Sequence, residues 1–190
     1  SRSNTDTLFV SPDGDNSNGA SWRKAYQTLN TALTACSADA NALTMIFIAP
    51  GTYDINTSGQ PTWTQNVVIQ GSHRLNTIIT NTHATASCVL RLEGLSVVRD
   101  VTIAHIAADN GLLMMGNGAR AERLFIDGSA MTGSGVSLWL DGVGSRARDV
   151  DILGNDTDTI GLNVLGSFCL YEKVSIHDCA VGIWVHNATA

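Results

Sequence analysis

Apolar and polar residues alternate along this chain in short runs, and the runs recur. Gly111-Leu112-Leu113-Met114-Met115-Gly116 is followed by Leu124-Phe125-Ile126-Asp127. Gly135-Val136-Ser137-Leu138-Trp139-Leu140 is followed by Val150-Asp151-Ile152, and Gly161-Leu162-Asn163-Val164-Leu165-Gly166 by Val174-Ser175-Ile176-His177. A fourth copy opens at Gly182-Ile183-Trp184-Val185, so the glycines are separated by 24, 26 and 21 residues. An imperfect period in the low twenties marks a solenoid, in which each coil leans on its neighbours for burial.

Two alternating runs per repeat predict two strands per coil, each pairing with its equivalent one coil along at about 4.8 Å. The alternation points Leu112 and Met114, Val136 and Leu138, Leu162 and Val164, and Ile183 and Val185 inward. The second strands send in Leu124 and Ile126, Val150 and Ile152, and Val174 and Ile176. The frame of a leucine-rich repeat is missing, and so is the six-residue beat of a hexapeptide helix. Variable coil length fits a right-handed parallel β-helix, whose corners absorb insertions.

Ahead of the repeats, Thr7-Leu8-Phe9-Val10-Ser11 predicts a first strand, and the segment from Pro12 to Gly19 is a dense turn cluster. Asp13, Asp15 and Ser17 alternate like calcium ligands, but Asn18 stands where the loop needs glycine and no acid closes it. A turn is the better reading. Trp22, Ala25, Tyr26, Leu29, Ala32, Leu33 and Cys36 share one helical face, which predicts an amphipathic helix over 21–36 that covers the open end of the first coil. Ser21 can cap it, or Thr28 can cap a shorter version. At the other end Ile183-Trp184-Val185 begins a coil with nothing beyond it to act as a cap. Truncation from a longer protein, or a partner subunit, is expected there.

Composition narrows the function classes. With 190 residues, 18 Gly, 3 Pro, 44 % apolar and 15 % charged residues, the chain reads as one turn-rich globular domain spanning 1–190. A net charge of −6 with 11 Lys and Arg argues against nucleic acid as a partner. No apolar run is long enough to span a membrane, and no signal peptide opens at Ser1, as expected of a mature form or of a protein that never carried one. Cys36, Cys88, Cys169 and Cys179 lack metal or redox spacing and read as buried thiols. No cofactor motif and no metal site is expected.

Leu8-Phe9-Val10-Ser11, Gly19-Ala20-Ser21-Trp22, the helix, Ile46-Phe47-Ile48-Ala49-Pro50-Gly51-Thr52-Tyr53 and Val67-Val68-Ile69-Gln70-Gly71 together resemble the N-terminal part of right-handed β-helix proteins of the pectin lyase-like superfamily. The resemblance covers nearly the whole chain. It implies fold before activity, since that superfamily holds lyases, polygalacturonases, phage tailspikes and adhesins. The polygalacturonase D-D, G-H-G and R-I-K segments are absent, and Asn155-Asp156-Thr157-Asp158 only loosely echoes its N-T-D. The lyase calcium-binding cluster is absent too.

Two surface features carry candidate chemistry. Asp127, Asp151, Ser175 and His177 point outward on consecutive coils, so Asp127, Asp151 and His177 are the candidate catalytic residues for a glycosidic bond. Plain surface polarity is the competing explanation. Arg99, Arg123, Arg148 and Lys173 form a basic column beside Asp100 and Asp149, read as a charge ladder. The outward neighbours on the first strands are Val89 and Arg91, Leu113 and Met115, Ser137 and Trp139, Asn163 and Leu165, and Trp184 and His186. This apolar stripe, with Trp139, Trp184, Met115 and Leu165 as the contact residues, predicts an interface. Its occupant is a second copy in a homo-oligomer, with a trimer favoured, or a sugar stacked on the tryptophans. The N-terminal segment or the loop from Gly59 to Gln65 folding back is the third option. The chain thus reads as a non-catalytic structural or binding module of an extracellular or virion-surface assembly that takes polysaccharide. A polysaccharide lyase or glycoside hydrolase is the alternative.

Overall fold

Alternating runs of four to eight residues cannot close a sheet locally, so they must pair with equivalents a coil away. The computed structural model shows this pairing across the residues it describes: 5–36, 42–58, 62–63, 66–104, 111–131, 135–156 and 159–186. The chain enters through β1 (Thr5–Val10) and a short helix α1 (Leu29–Thr34), then runs β2 (Leu43–Ile48), β3 (Gly51–Asp54) and β4 (Thr62–Trp63). The next coils are β5 (Val67–Gly71), β6 (Thr77–Thr80) and β7 (Leu90–Leu92), then β8 (Val97–Arg99), β9 (Thr102–Ala104) and β10 (Gly111–Met115). Three longer coils follow: β11 (Arg120–Asp127) with β12 (Val136–Leu140), β13 (Arg146–Leu153) with β14 (Ile160–Val164), and β15 (Leu170–His177) with β16 (Val181–Val185).

The pairings are parallel and build two sheets. The smaller runs β16-β14-β12-β10-β7-β4, and the larger holds the other ten strands. Alternation alone predicts two strands per coil, but the larger sheet is bent at a stacked corner. β11, β13 and β15 pass through Arg123, Asp149 and Lys173 at φ 52, 53 and 53, and Asp100 (φ 58) separates β8 from β9. A left-handed residue breaks the pleat, so β11 pairs with β8 before the corner and with β9 after it. Each coil therefore has three straight segments. Left-handed geometry costs a non-glycine residue roughly 1–2 kcal/mol, so the corners are held by what stacks on them.

The core lies between the sheets. Leu124, Ile126, Val150 and Ile152 are fully buried in the central cluster with Leu138, Leu140 and Leu162, as the alternation predicts. One repeat is out of phase with the expectation. Leu113 pairs with Leu90 and Leu138, and Met115 with Leu92 and Leu140, so Leu113 and Met115 point inward while Met114 takes the outward row between Arg91 and Trp139; Leu112, as expected, is buried in the core cluster. The cause is that the glycines are not equivalent: Gly111 pairs with Val136, whereas Ile160 pairs with Val181, which sets Gly161 beside Gly182. A one-residue slip exchanges the two faces of a strand.

The helix also differs from its expectation. It spans 29–34, not 21–36, because Tyr26 is taken by the edge of β1: its N–H donates to the Phe9 carbonyl, and its carbonyl accepts from Ser11 N, both at 2.9 Å. Thr28 is the cap, its hydroxyl accepting from Thr31 N at 3.2 Å. Leu29, Ala32 and Leu33 are buried in the core beside Val10, and Trp22 packs edge-on against Phe9. The 13–17 segment is a turn, in which Asp15 accepts from Ser17 N at 3.0 Å. On the last coil described, Val181, Ile183 and Val185 keep the inward phase but are 43–55 % exposed.

Candidate functional site

Because partners in a parallel ladder sit side by side, register decides which outward side chains can cooperate. On the larger sheet Asp151 lies between Phe125 and Ser175, while Asp127 and His177 flank Leu153 one outward position further along. The three candidate catalytic residues therefore occupy two rows. Asp127 is engaged locally, accepting from Ser129 N at 3.1 Å and from its hydroxyl at 2.6 Å. Asp151 is ion-paired with Arg74, which reaches over from the turn after β5, at 2.8 Å. Asp151, Arg74, His73, Arg123, Lys173 and Ser175 line a groove of about 550 Å³. It brings Asp151 and Ser175 together without Asp127 or His177.

The expected basic column resolves into two rows of alternating sign. Arg99, Glu122, Arg148 and Glu172 form one, and Asp100, Arg123, Asp149 and Lys173 form the next. Arg123 donates twice to Asp100, both at 2.7 Å, and that pairing holds its guanidinium pKa above the ordinary value despite some desolvation. Lys173 stands 3.9 Å from Asp149, and Arg148 stands 3.7 Å from both Asp149 and Glu172.

The outer face of the smaller sheet is different in kind. By register its middle row is Arg91, Met114, Trp139, Asn163 and Trp184. Met115, expected there, is in the core, and Met114 stands in its place. The stripe is also not open: Met114 and Asn163 are at most 5 % exposed within this one chain. The loop named as a candidate cover, Gly59 to Gln65, lies almost wholly outside the described residues. Leu165 and Trp139 are half-buried, and only at the last coil does the row open, with Trp184 47 % exposed and its ring tilted against that of His186, centroids 4.6 Å apart.

Three buried side-chain atoms lack a hydrogen-bond partner among the described residues: Trp139 Nε1 and Asn163 Oδ1 in this row, and Ser137 Oγ beside Gly128. Buried polar atoms are nearly always paired with protein or with water, so each of these marks a place for a polar partner that the described residues do not supply. Next to them lies an ionic knot that periodicity did not reveal. Arg91 donates from Nε to Glu93 at 2.9 Å and from a terminal nitrogen to Asp141 at 3.0 Å, across the strand between them. Burial works against the charge on Arg91, but the two carboxylates outweigh it and raise its pKa. The knot needs Gly116, since a Cβ there would lie 1.9 Å from the Glu93 carboxylate. The signal in the sequence was the pair Arg91 and Glu93 at alternate positions, legible only once Gly116 is in the right phase.

Solved structures can now be set beside this geometry. A pectin methylesterase from Erwinia chrysanthemi superposes with a TM-score of 0.58 at 14 % identity, over 83 % of this chain and 54 % of that one. A pectin methylesterase from carrot gives 0.52 at 18 %, over 84 % and 63 %. A mutant pectin methylesterase in complex with a hexasaccharide gives 0.52 at 12 %, over 84 % and 66 %. The chain shares the right-handed parallel β-helix fold of these structures. At these identities the likeness is one of fold, and the chain spans between about half and two thirds of the length of these β-helix enzymes. No protein-family model matches the sequence, and no curated protein does. Among the described residues no helix is long and apolar enough to cross a membrane.

Proposed function

We propose that this chain is a non-catalytic β-helix module that binds carbohydrate on the outer face of its smaller sheet, within a larger extracellular or virion-surface assembly. One observation carries the reading: Trp139, Asn163 and the exposed Trp184 follow one another in a single outward row, and Trp139 Nε1 and Asn163 Oδ1 in that row have no hydrogen-bond partner among the described residues. A sugar offers hydroxyls that both donate and accept, which serves Trp139 and Asn163 through an ordered water. Its C–H face suits an indole. Trp139 and Trp184 are two coils apart in one row, roughly 10 Å at ladder spacing, so one oligosaccharide lying along the solenoid axis can reach both.

The carboxylates on both faces argue for binding without turnover. Glu93 and Asp141 are tied to Arg91, Asp151 to Arg74, and Asp127 to Ser129. None is left free beside a second carboxylate, as a glycosidic acid–base pair requires. A second reading, a carbohydrate-active enzyme, is favoured by the pectin methylesterase neighbours. Incubation with esterified, acidic and neutral polysaccharides, followed for methanol, unsaturated products and new reducing ends, separates the two. The binding module yields none of the three. Turnover lost in Asp151→Asn or His177→Ala would establish the enzyme instead. Self-association belongs to the same proposal: a trimer packed at Trp184 would fall to monomers in light scattering on Trp184→Asp, and a monomeric wild type would remove it.

A further inference from the structure

The two alternating rows on the larger sheet set a rule that a third row breaks. Along Arg99, Glu122, Arg148 and Glu172, and along Asp100, Arg123, Asp149 and Lys173, every charge has the opposite sign one coil away. Two residues before the first of these rows, on the same outward face, the ladder reads Val97, Arg120, Arg146, Leu170. Arg120 and Arg146 are direct partners, like charges at ladder spacing, an arrangement that destabilises a sheet. Both are exposed, and among the described residues neither has an ion-pair partner. The surface around them is concave. A depression of about 260 Å³ is lined by Arg120, Arg146, Arg148, Leu170 and the carboxylates Glu122 and Glu172. A second one of about 370 Å³ shares Arg120 and continues over Val68, Val97 and the exposed Leu95.

We propose that this strip is a second binding site, separate from the smaller sheet's outer face, and that it takes an acidic sugar chain whose carboxylate bridges Arg120 and Arg146. A carboxylate has two acceptor oxygens and each guanidinium presents a planar fork of donors, so one anion can satisfy both arginines and remove their repulsion. Val97 and Leu95 on one side and Leu170 on the other give apolar footing for the C–H faces of the flanking rings. Glu122 and Glu172 border the site and limit the negative charge it accepts, and the apolar footing suits the C–H faces of sugar rings, which together favour an acidic sugar over a polyacidic peptide.

The site makes opposite demands on stability and binding, and Arg146→Glu reads both. In the whole chain it restores alternation against Arg120, so the thermal midpoint should rise at low salt while affinity for tetragalacturonate falls at least tenfold. The double variant Arg120→Gln/Arg146→Gln should lose binding to the same degree. A lowered midpoint in Arg146→Glu, or unchanged tetragalacturonate affinity in either arginine variant, would overturn the proposal. Poly-aspartate bound as tightly as tetragalacturonate would overturn the assignment to a sugar.

Discussion

The outer faces of the two sheets are built on the same ladder and solve opposite problems. On the larger sheet charges stand in alternating rows in open solvent, where each pair is worth at most about 1 kcal/mol but a slipped register would set like charges side by side. On the smaller sheet the outward row is apolar or aromatic and mostly covered, and its few polar atoms are left unpaired or are locked in the Arg91 knot. The contrast teaches that the exposed charge pattern specifies the fold, while the covered face, which gives up hydrogen bonds, is the one arranged for something else.

The hardest blow to that contrast is a charge placed on each face. Met114→Asp would put an unpaired carboxylate where only 5 % of the residue is exposed, and should lower the unfolding free energy in urea by roughly 3 kcal/mol or more. Glu172→Gln on the larger sheet should stay within about 0.5 kcal/mol. Arg91→Met strips two partly buried carboxylates of their partner and should cost about 2 kcal/mol, with little relief from salt. The interior sharpens the picture at high pH. Burial pushes the Cys36 thiol up to about 11 and the Cys88 thiol up to about 12, from 9.0. Above pH 9 the unfolded chain ionises these thiols and the folded chain does not. Stability is therefore intact below pH 9 and falls by up to about 1.4 kcal/mol per pH unit for each thiol until its folded pKa is reached. A Cys36→Ala/Cys88→Ala variant should show a shallower slope in urea melts between pH 8 and 11. A small and salt-sensitive effect belongs to Glu122→Lys, which sets like charges beside Arg99, Arg123 and Arg148. It should cost about 0.5–1 kcal/mol at low ionic strength and almost nothing in 0.5 M salt.

Much of this was legible in the sequence because burial imposes period two on every strand: Leu138, Leu162, Val150 and Ile152 could be placed inward by alternation alone. The phase of the 111–115 strand could not, since Leu112, Leu113, Met114 and Met115 are all apolar and the only clue, a glycine at each repeat, marks inequivalent positions. The corner was hidden for another reason. Aspartate tolerates left-handed geometry, but Arg123 and Lys173 carry no local sign of it. Once the corner and the phase are missed, Asp127 and Asp151 look like neighbours and Met115 looks exposed. Trp139 and Trp184 were placed in one row correctly because unambiguous inward residues flank each of them.

The central claim is that the outer face of the smaller sheet recognises carbohydrate without turning it over. Calorimetric titration of wild type and Trp184→Ala with a methyl-esterified pectic hexasaccharide, with the ligand recovered afterwards for mass analysis, tests it most directly. The account predicts saturable binding to wild type, at least tenfold weaker in the variant, with the hexasaccharide recovered intact. Equal affinity in both proteins, or a de-esterified or shortened sugar, would contradict it.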